Sequence, residues 1–320
     1  MDIIATSLSS NRVAFAIEEC SIVVKSIPQQ SAFDSCRFDI LNSEGKMIMM
    51  EHRNKRKDAT ITPELFNSKQ LGNLEDGSYY LCMYIFEDGT TTEYTSVIGP
   101  CDIQFTKKGN KLEFIKPVCC DHNKTLLDTL DYNDPRLLAP SNKIQSHNTN
   151  ITNLAKQLKQ NAIEKRTSII AEVNRWVAKN VSYDKDSLND DFYIKLNHSA
   201  LSTLQKGRSV CQGYTMLTVA FLRALNIPAL GMLCCATPTV EDKLRSKKSK
   251  SSNHIFPIAW FDNRWVLMDT TWNSHHVYDN RDYSFGRRDL TKVYPFKYFD
   301  STLEFFSSTH EFTQAYLSFE

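Results

Sequence analysis

The chain has 320 residues, 38 Lys and Arg against 37 Asp and Glu, and 41% apolar residues. That length accommodates two domains with a core each, and a formal net charge of +1 excludes an overall electrostatic attraction to nucleic acid or to an anionic membrane. No apolar run approaches the roughly 20 residues of a membrane span, and Met1-Asp2-Ile3-Ile4 lacks a basic flank and an apolar signal core; a chain complete as written is expected to be cytoplasmic, and one that has lost a leader, extracellular or at the cell surface.

Short alternating or β-branched runs occur at residues 13–16, 21–26, 37–41, 46–50, 79–86 and 93–97, separated by turn signals such as Asn42-Ser43-Glu44-Gly45, Asp76-Gly77 and Asp88-Gly89. The strongest has Tyr80, Cys82 and Tyr84 alternating against Leu81, Met83 and Ile85. Regularly spaced short strands predict an all-β sandwich over residues 1–118. An immunoglobulin-like topology is expected from length and pattern alone, since this half contains no Trp. Such a domain either recognises a binding partner or shields one face of its neighbour. Residues 119–150 are polar, with Asp134-Pro135 and Ala139-Pro140, and read as a linker with one helical turn at 126–130.

Ile170, Val173, Trp176 and Val177 mark a helix that ends at Asn180. Farther on, Gly207-Arg208-Ser209-Val210-Cys211-Gln212-Gly213-Tyr214 leads into an apolar stretch that stops at Asn226-Ile227-Pro228. Ser209 is the expected N-cap, and apolar residues at 214, 217, 221, 224 and 225 follow helical spacing. Cys211 then falls in the first turn. There the helix dipole favours a thiolate, the form in which a cysteine attacks, and the Cys211 amide is available to an oxyanion. Taken alone, Cys211 reads equally well as a buried thiol packing as a small hydrophobe.

Residues 243–253 form a basic run, read as a solvated loop, immediately before His254. Two aromatic-rich runs then flank Asp262-Asn263, a pair suited to a tight turn. A two-residue loop pairs Phe261 with Arg264, Trp260 with Trp265 and Phe256 with Asp269. That register puts His254 and Asp269 on one face as diagonal neighbours about 7–8 Å apart at the backbone, whereas a three-residue loop would separate them. Pro257 points to an edge or a bulge in the first strand. Singly, His254 also reads as a loop-end residue and Asp269 as a turn former.

The nine cysteines show neither C-x-x-C nor regular spacing, which argues against a zinc ribbon and against a disulfide framework. His275-His276 diverge on a strand and make no metal pattern. Neither a metal nor an organic cofactor is expected.

Ser209-Val210-Cys211-Gln212-Gly213-Tyr214, His254 opening an apolar strand, and Trp265 through Asp269-Thr270-Thr271-Trp272-Asn273 together resemble the transglutaminase-like superfamily in its bacterial form. The helix ending in Asn180-Val181-Ser182-Tyr183-Asp184, and the segment from His198 to Gln205, are similar to its elements ahead of the cysteine. The resemblance implies an α+β chain, with a papain-like, transglutaminase-like catalytic domain over residues 151–320 preceded by the immunoglobulin-like sandwich. It matches Cys211 to the nucleophile, His254 to the general base and acid, and Asp269 to the residue that orients the imidazole. The implied chemistry is acyl transfer on protein or peptide amides through a thioester, ending in isopeptide crosslinking, deamidation or hydrolysis. The alternative is a catalytically silent binding or scaffold protein of the same fold.

Overall fold

The computed structural model describes residues 4–5, 14–26, 33–54, 64–87, 94–184, 197–237, 252–274, 291–293 and 297–316. In the N-terminal half, β1 (Ile4–Ala5), β2 (Ala14–Glu18), β3 (Ser21–Ser26), β4 (Phe33–Asn42), β5 (Met47–Asn54) and β6 (Glu64–Phe66) precede a short helix, α1 (Ser68–Gly72). Strands β7 (Gly77–Glu87), β8 (Tyr94–Lys108) and β9 (Lys111–Phe114) follow. One sheet has the order β1-β2-β3-β6, and β5, β4, β7 and β8 make a second, with β9 also on β8. Residues Glu19 and Cys20, both at positive φ (46° and 63°), close the β2–β3 hairpin between the paired Glu18 and Ser21, as expected of a two-residue turn whose twist matches its strands.

Period-two alternation explains how β7 serves two interiors. Leu81, Met83 and Ile85 join Phe15, Ile22, Phe38, Ile40 and Phe105 in the main apolar core, while Tyr80 and Cys82 pack with Leu41 on the opposite face. Phe15 meets Phe38 edge-on at 6.2 Å, which ties the first sheet to the second.

The stretch after β9 is more structured than a single turn at 126–130. Helix α2 spans Cys120–Asp128, and its buried Asn123 gives two hydrogen bonds, to Ser307 Oγ and to the carbonyl of His310, both at 2.8 Å, while its carbonyl accepts from the amide of Phe312 at 2.7 Å. A buried amide that satisfies three partners is worth its desolvation, and it fastens this segment to the end of the chain. Ile144 is fully buried, and the Lys143 carbonyl receives the amide of Ala200.

Helices α3 (Thr149–Glu164) and α4 (Ile169–Asn180) come next, then β10 (Ser182–Tyr183), α5 (Ala200–Lys206), β11 (Arg208–Ser209) and α6 (Cys211–Ala224). Strands β12 (Ala229–Ala236), β13 (His254–Phe261), β14 (Arg264–Leu267) and β15 (Thr291–Val293), helix α7 (Leu303–Ser307) and strand β16 (His310–Tyr316) complete the order. The C-terminal sheet is antiparallel, β14-β13-β12-β16. Helix α6 covers one of its faces: Tyr214, Leu217, Ala220 and Phe221 share a core with Ile255, Ala259, Val266 and Met268. Side chains of the other face, among them Met232, Phe256, Ile258 and Phe312, belong to the same apolar cluster as the N-terminal core. β15 pairs in parallel with β8, so the chain returns to the N-terminal sheet after leaving its own.

Every residue of α6 from Gly213 to Arg223 is buried, and truncating one such as Leu217 to Ala is expected to cost about 2–5 kcal/mol. Arg223 lies in this interior because its guanidinium donates to the carbonyls of Ala229 and Ala139; burial lowers its pKa to about 10. No helix among the described residues is long and apolar enough to cross a membrane.

Candidate active site

The turn at Asp262-Asn263 has positive φ at both residues, 51° and 58°, and pairs Phe261 with Arg264, Trp260 with Trp265 and Ile258 with Leu267. The expected two-residue register therefore holds, but only as far as Leu267. Met268 bridges to Phe299 instead, and the chain bends into a turn in which Asp269 accepts the amide of Asn273 on its carbonyl at 2.9 Å. β13 is an interior strand rather than an edge. Pro257 fits there because amides along the strand alternate between neighbours: Trp260 donates toward the β12 side, to Pro228, so position 257 faces the β14 side, just past the last β14 pair.

His254 opens β13 opposite Cys234. Asn253 sets it in place, its side chain accepting from the amide of Ala236 at 2.7 Å and donating to the Ala236 carbonyl at 3.0 Å. One residue on, the Ile255 carbonyl takes a hydrogen bond from Thr215 Oγ1 at 3.1 Å. That bond locks α6 to β13 one turn past Cys211 and one residue past His254.

Val210, rather than Ser209, is the N-cap of α6, and it gives no side-chain cap. Ser209 sits in β11, paired with Tyr183, and its hydroxyl is 3.0 Å from Nδ1 of the buried His198. The first-turn amides of α6 thus receive no cap from the N-cap side chain, which suits an oxyanion. Gly213 is required by crowding: a Cβ there would lie 2.0 Å from Ser209 Oγ and 2.4 Å from Thr203 Oγ1. The Tyr214 hydroxyl donates to the Val181 carbonyl, which anchors the helix start to the end of α4.

Cys211 is half-buried, and its thiol is close enough to the His254 ring to help raise the pKa of that ring. Nε2 of His254 is 2.6 Å from Asp269 Oδ2, which leaves Nδ1 as the nitrogen for the thiol. Asp269 is fully buried. Its Oδ1 accepts the amides of Thr271 and Trp272 at 2.9 and 3.0 Å, and its Oδ2 accepts a second imidazole, Nε2 of His310, at 3.1 Å. Burial alone would raise the Asp269 pKa, but the charge and hydrogen bond of His254, with help from His310, hold it well below the usual carboxylate range. Burial pulls His254 down, and the charge and hydrogen bond of Asp269 outweigh that, with a contribution from the Cys211 thiol, raising it to about 10. For His310 burial wins and its pKa is lowered.

The other members of the Asp-Thr-Thr-Trp-Asn run have structural partners. Thr270 Oγ1 pairs with Thr218 Oγ1 at 3.2 Å, Trp272 packs 5.5 Å from the His254 ring, and Asn273 donates to Asn174 of α4 while accepting the Tyr298 amide. Ligand-type atoms of His254, Asp269 and His310 lie within 4.8 Å of one another. The 2.6 Å separation of His254 and Asp269 is shorter than two ligands on a zinc ion at bond lengths of about 2.0–2.2 Å adopt and matches a charge-assisted hydrogen bond. His275-His276, and the basic run apart from Ser252 and Asn253, lie outside the described residues.

The structure brings Cys211 beside His254 and His254 onto Asp269, and adds His310, which sequence reasoning missed. His310 lies in Ser307-Ser308-Thr309-His310, a polar run with no motif, and is brought to Asp269 by the pairing of β16 with β12.

Residues 152–270 match the family model of the transglutaminase-like superfamily. The segment that holds all three residues is therefore a transglutaminase-like core, within a mixed α/β chain whose N-terminal part is rich in sheet. No curated protein matches the sequence. Among solved structures, the chain is similar to a protein from Cytophaga hutchinsonii proposed to be a cysteine protease, at 17% identity and a TM-score of 0.32, covering 75% of this chain and 72% of that one. It is also similar to a TGase, at 16% identity and a TM-score of 0.30, covering 51% of this chain and 41% of that one. A general cysteine-dependent acyl-transfer or protease class accords with the family.

Proposed function

We propose that the protein catalyses acyl transfer on peptide or protein amides, with Cys211 as nucleophile, His254 as general base and acid, and Asp269 as the group that orients His254. The observation that carries this reading is the half-buried Cys211 thiol beside His254, whose ring is hydrogen-bonded at 2.6 Å to the fully buried Asp269. The Cys211 thiolate attacks the amide carbon, and the negative charge on the former carbonyl oxygen is met by the Cys211 amide at the start of α6. His254 then gives its proton to the leaving amine, and a thioester remains. In the second half His254 takes a proton from the incoming nucleophile, and collapse of the new tetrahedral intermediate releases the Cys211 thiolate, which restores the starting pair. Water as acceptor gives hydrolysis or deamidation; a lysine amine gives an isopeptide bond. The N-terminal sheets, taken as an immunoglobulin-like sandwich over residues 1–118 and joined through 119–150 to a catalytic domain from 151, supply a surface for a binding partner.

The test is the rate of alkylation of each cysteine as a function of pH, read by peptide mass spectrometry in the wild type and in His254→Ala. Cys211 is expected to react fastest in the wild type and to lose that advantage in the variant. A Cys211 no faster than the other cysteines overturns the reading in favour of a silent scaffold. Amine incorporation against ammonia release then separates crosslinking from hydrolysis.

A further inference from the structure

His254 and His310 both direct Nε2 at the same oxygen of Asp269, at 2.6 and 3.1 Å. A buried carboxylate oxygen is an acceptor only, so each of these nitrogens carries a proton. A neutral imidazole has one N–H, and the Nε2–H of His310 is thereby assigned. Its Nδ1 is then available as an acceptor for Thr309 Oγ1, 2.9 Å away, in competition with the Phe306 carbonyl, which also meets the ring and favours a proton there. The carboxylate thus sets the tautomer of the ring, and the Thr309 hydroxyl supports it against the Phe306 carbonyl.

The surroundings hold that ring still. His310 is fully buried, in contact with Phe306 at 4.4 Å, Trp272 at 4.5 Å, Phe256 at 5.4 Å and Tyr298 at 5.5 Å between ring centroids. Its own carbonyl accepts from Asn123 of α2, at 2.8 Å, and from Cys119. The titratable groups facing it are Asp269 and His254 from the β13–β14 side, Tyr298, and Cys119 from α2. Asp269 in consequence accepts four hydrogen bonds, two from backbone amides and two from imidazoles. This satisfies nearly all the acceptor capacity of a carboxylate that has lost its water.

We propose that His310 is a positioning residue of the catalytic centre, a neutral imidazole that donates to Asp269 and keeps it ionised and turned toward His254, so that the chain Thr309, His310, Asp269, His254, Cys211 works as one relay of orientation. The inference rests on the acyl-transfer reading above. It assigns no proton transfer to His310: the ring stays neutral throughout, and burial favours that state. Without its donor, Asp269 keeps its two amides and His254 but has an unmatched lone pair in an apolar pocket. Its proton affinity rises, and protonation of Asp269 then breaks the pair with His254 at higher pH.

The experiment is the pH profile of iodoacetamide alkylation at Cys211 in the full-length protein, compared for wild type, His254→Ala, His310→Phe and His310→Gln, with near-ultraviolet circular dichroism to verify the fold. Phe fills the aromatic pocket and removes the donor, whereas the Gln side-chain amide restores an N–H toward Asp269. The expected result is that His310→Phe moves the acid limb of the profile upward by about one pH unit, and that His310→Gln brings it back toward wild type. Should His310→Phe fail to fold, Thr309→Val decides the matter, because it leaves the ring in place and frees its tautomer; the same upward movement is expected. A His254-dependent wild-type profile that persists unchanged in the folded His310 variants, or in Thr309→Val, overturns this inference alone. A wild-type profile that His254→Ala leaves unchanged overturns the acyl-transfer reading, and this inference with it.

Discussion

The hydroxyl of Tyr298 donates to Asp102 Oδ1 at 2.8 Å, a bond between the N-terminal sheet and the C-terminal half in which both residues are buried. Lys297 sits against the other oxygen of Asp102 at 2.6 Å. Tyr298 in turn accepts the Asp269 amide on its carbonyl, gives its own amide to Asn273, and packs its ring on Trp272. Asp102→Asn removes the charge that Lys297 opposes, and breaking a buried pair in this way is expected to destabilise by about 3–5 kcal/mol. Tyr298→Phe deletes one bond while keeping the ring and should cost about 1–3 kcal/mol. Urea unfolding measures both. Equal effects from the two substitutions would show that the ion pair contributes nothing beyond the hydroxyl bond.

Asp269→Asn presents a different problem, one of donors facing donors. Its Oδ1 would still receive the amides of Thr271 and Trp272, which leaves the NH₂ group opposed to the Nε2–H of His254 and of His310. At least one imidazole must then change tautomer, and His254 in the wrong tautomer cannot accept the Cys211 proton. Turnover is expected to fall on the order of 10⁴-fold, as in hydrolase triads that lose this carboxylate, with secondary structure retained by circular dichroism. A variant with near wild-type turnover would show that Asp269 has no orienting role.

At Gly213 the constraint is steric. The missing Cβ would meet the Ser209 side chain at 2.0 Å and 2.5 Å, and both atoms are held, one by His198 and the other by the β10–β11 pairing. Gly213→Ala is expected to cost about 1–3 kcal/mol from overpacking and, by shifting the start of α6, to lower Cys211 reactivity on the order of 10²-fold. Thermal melts and alkylation rates read the two effects separately. A normal melting temperature and normal reactivity together would mean that the strand before the cysteine yields freely.

What was legible in the sequence follows the range of each interaction. The hairpin register could be read because two adjacent residues that tolerate positive φ specify a two-residue turn, and the buried face of α6 because apolar spacing repeats within one helix. The departure at Met268 was not legible, since it depends on a bridge to Phe299, whose position nothing in the hairpin encodes. Ser209 looked like a cap because the residue type favours one; its hydroxyl is taken instead by His198, eleven residues earlier. Asn123 and His310 escaped notice for the same reason. Each is a polar residue in a polar run, and only the packing of α2 and β16 reveals that it is buried and fully bonded. Long-range polar partners leave no periodicity, so they surface only with the coordinates.

The coupling of His254 to Asp269 also fixes how stability varies with pH. Asp269 has its folded pKa depressed, so its contribution is present above the unfolded carboxylate value of about 3.9 and is lost as pH falls through the folded value. His254 is raised to about 10; its contribution is fully present below the unfolded imidazole value of about 6.5, declines above it, and is lost as pH rises through the folded value. Both describe one interaction, greatest between the two unfolded values. The buried thiols of Cys36, raised by burial to about 12, and of Cys234, also raised by burial, lower stability at alkaline pH as well, but equally in any variant that leaves them in place. The informative quantity is therefore the difference in unfolding free energy between wild type and His254→Gln, measured in urea from about pH 6 to about pH 10. That difference is expected to shrink steadily across the interval. A difference that stays constant means that the imidazole and the carboxylate are not charge-coupled in the folded protein.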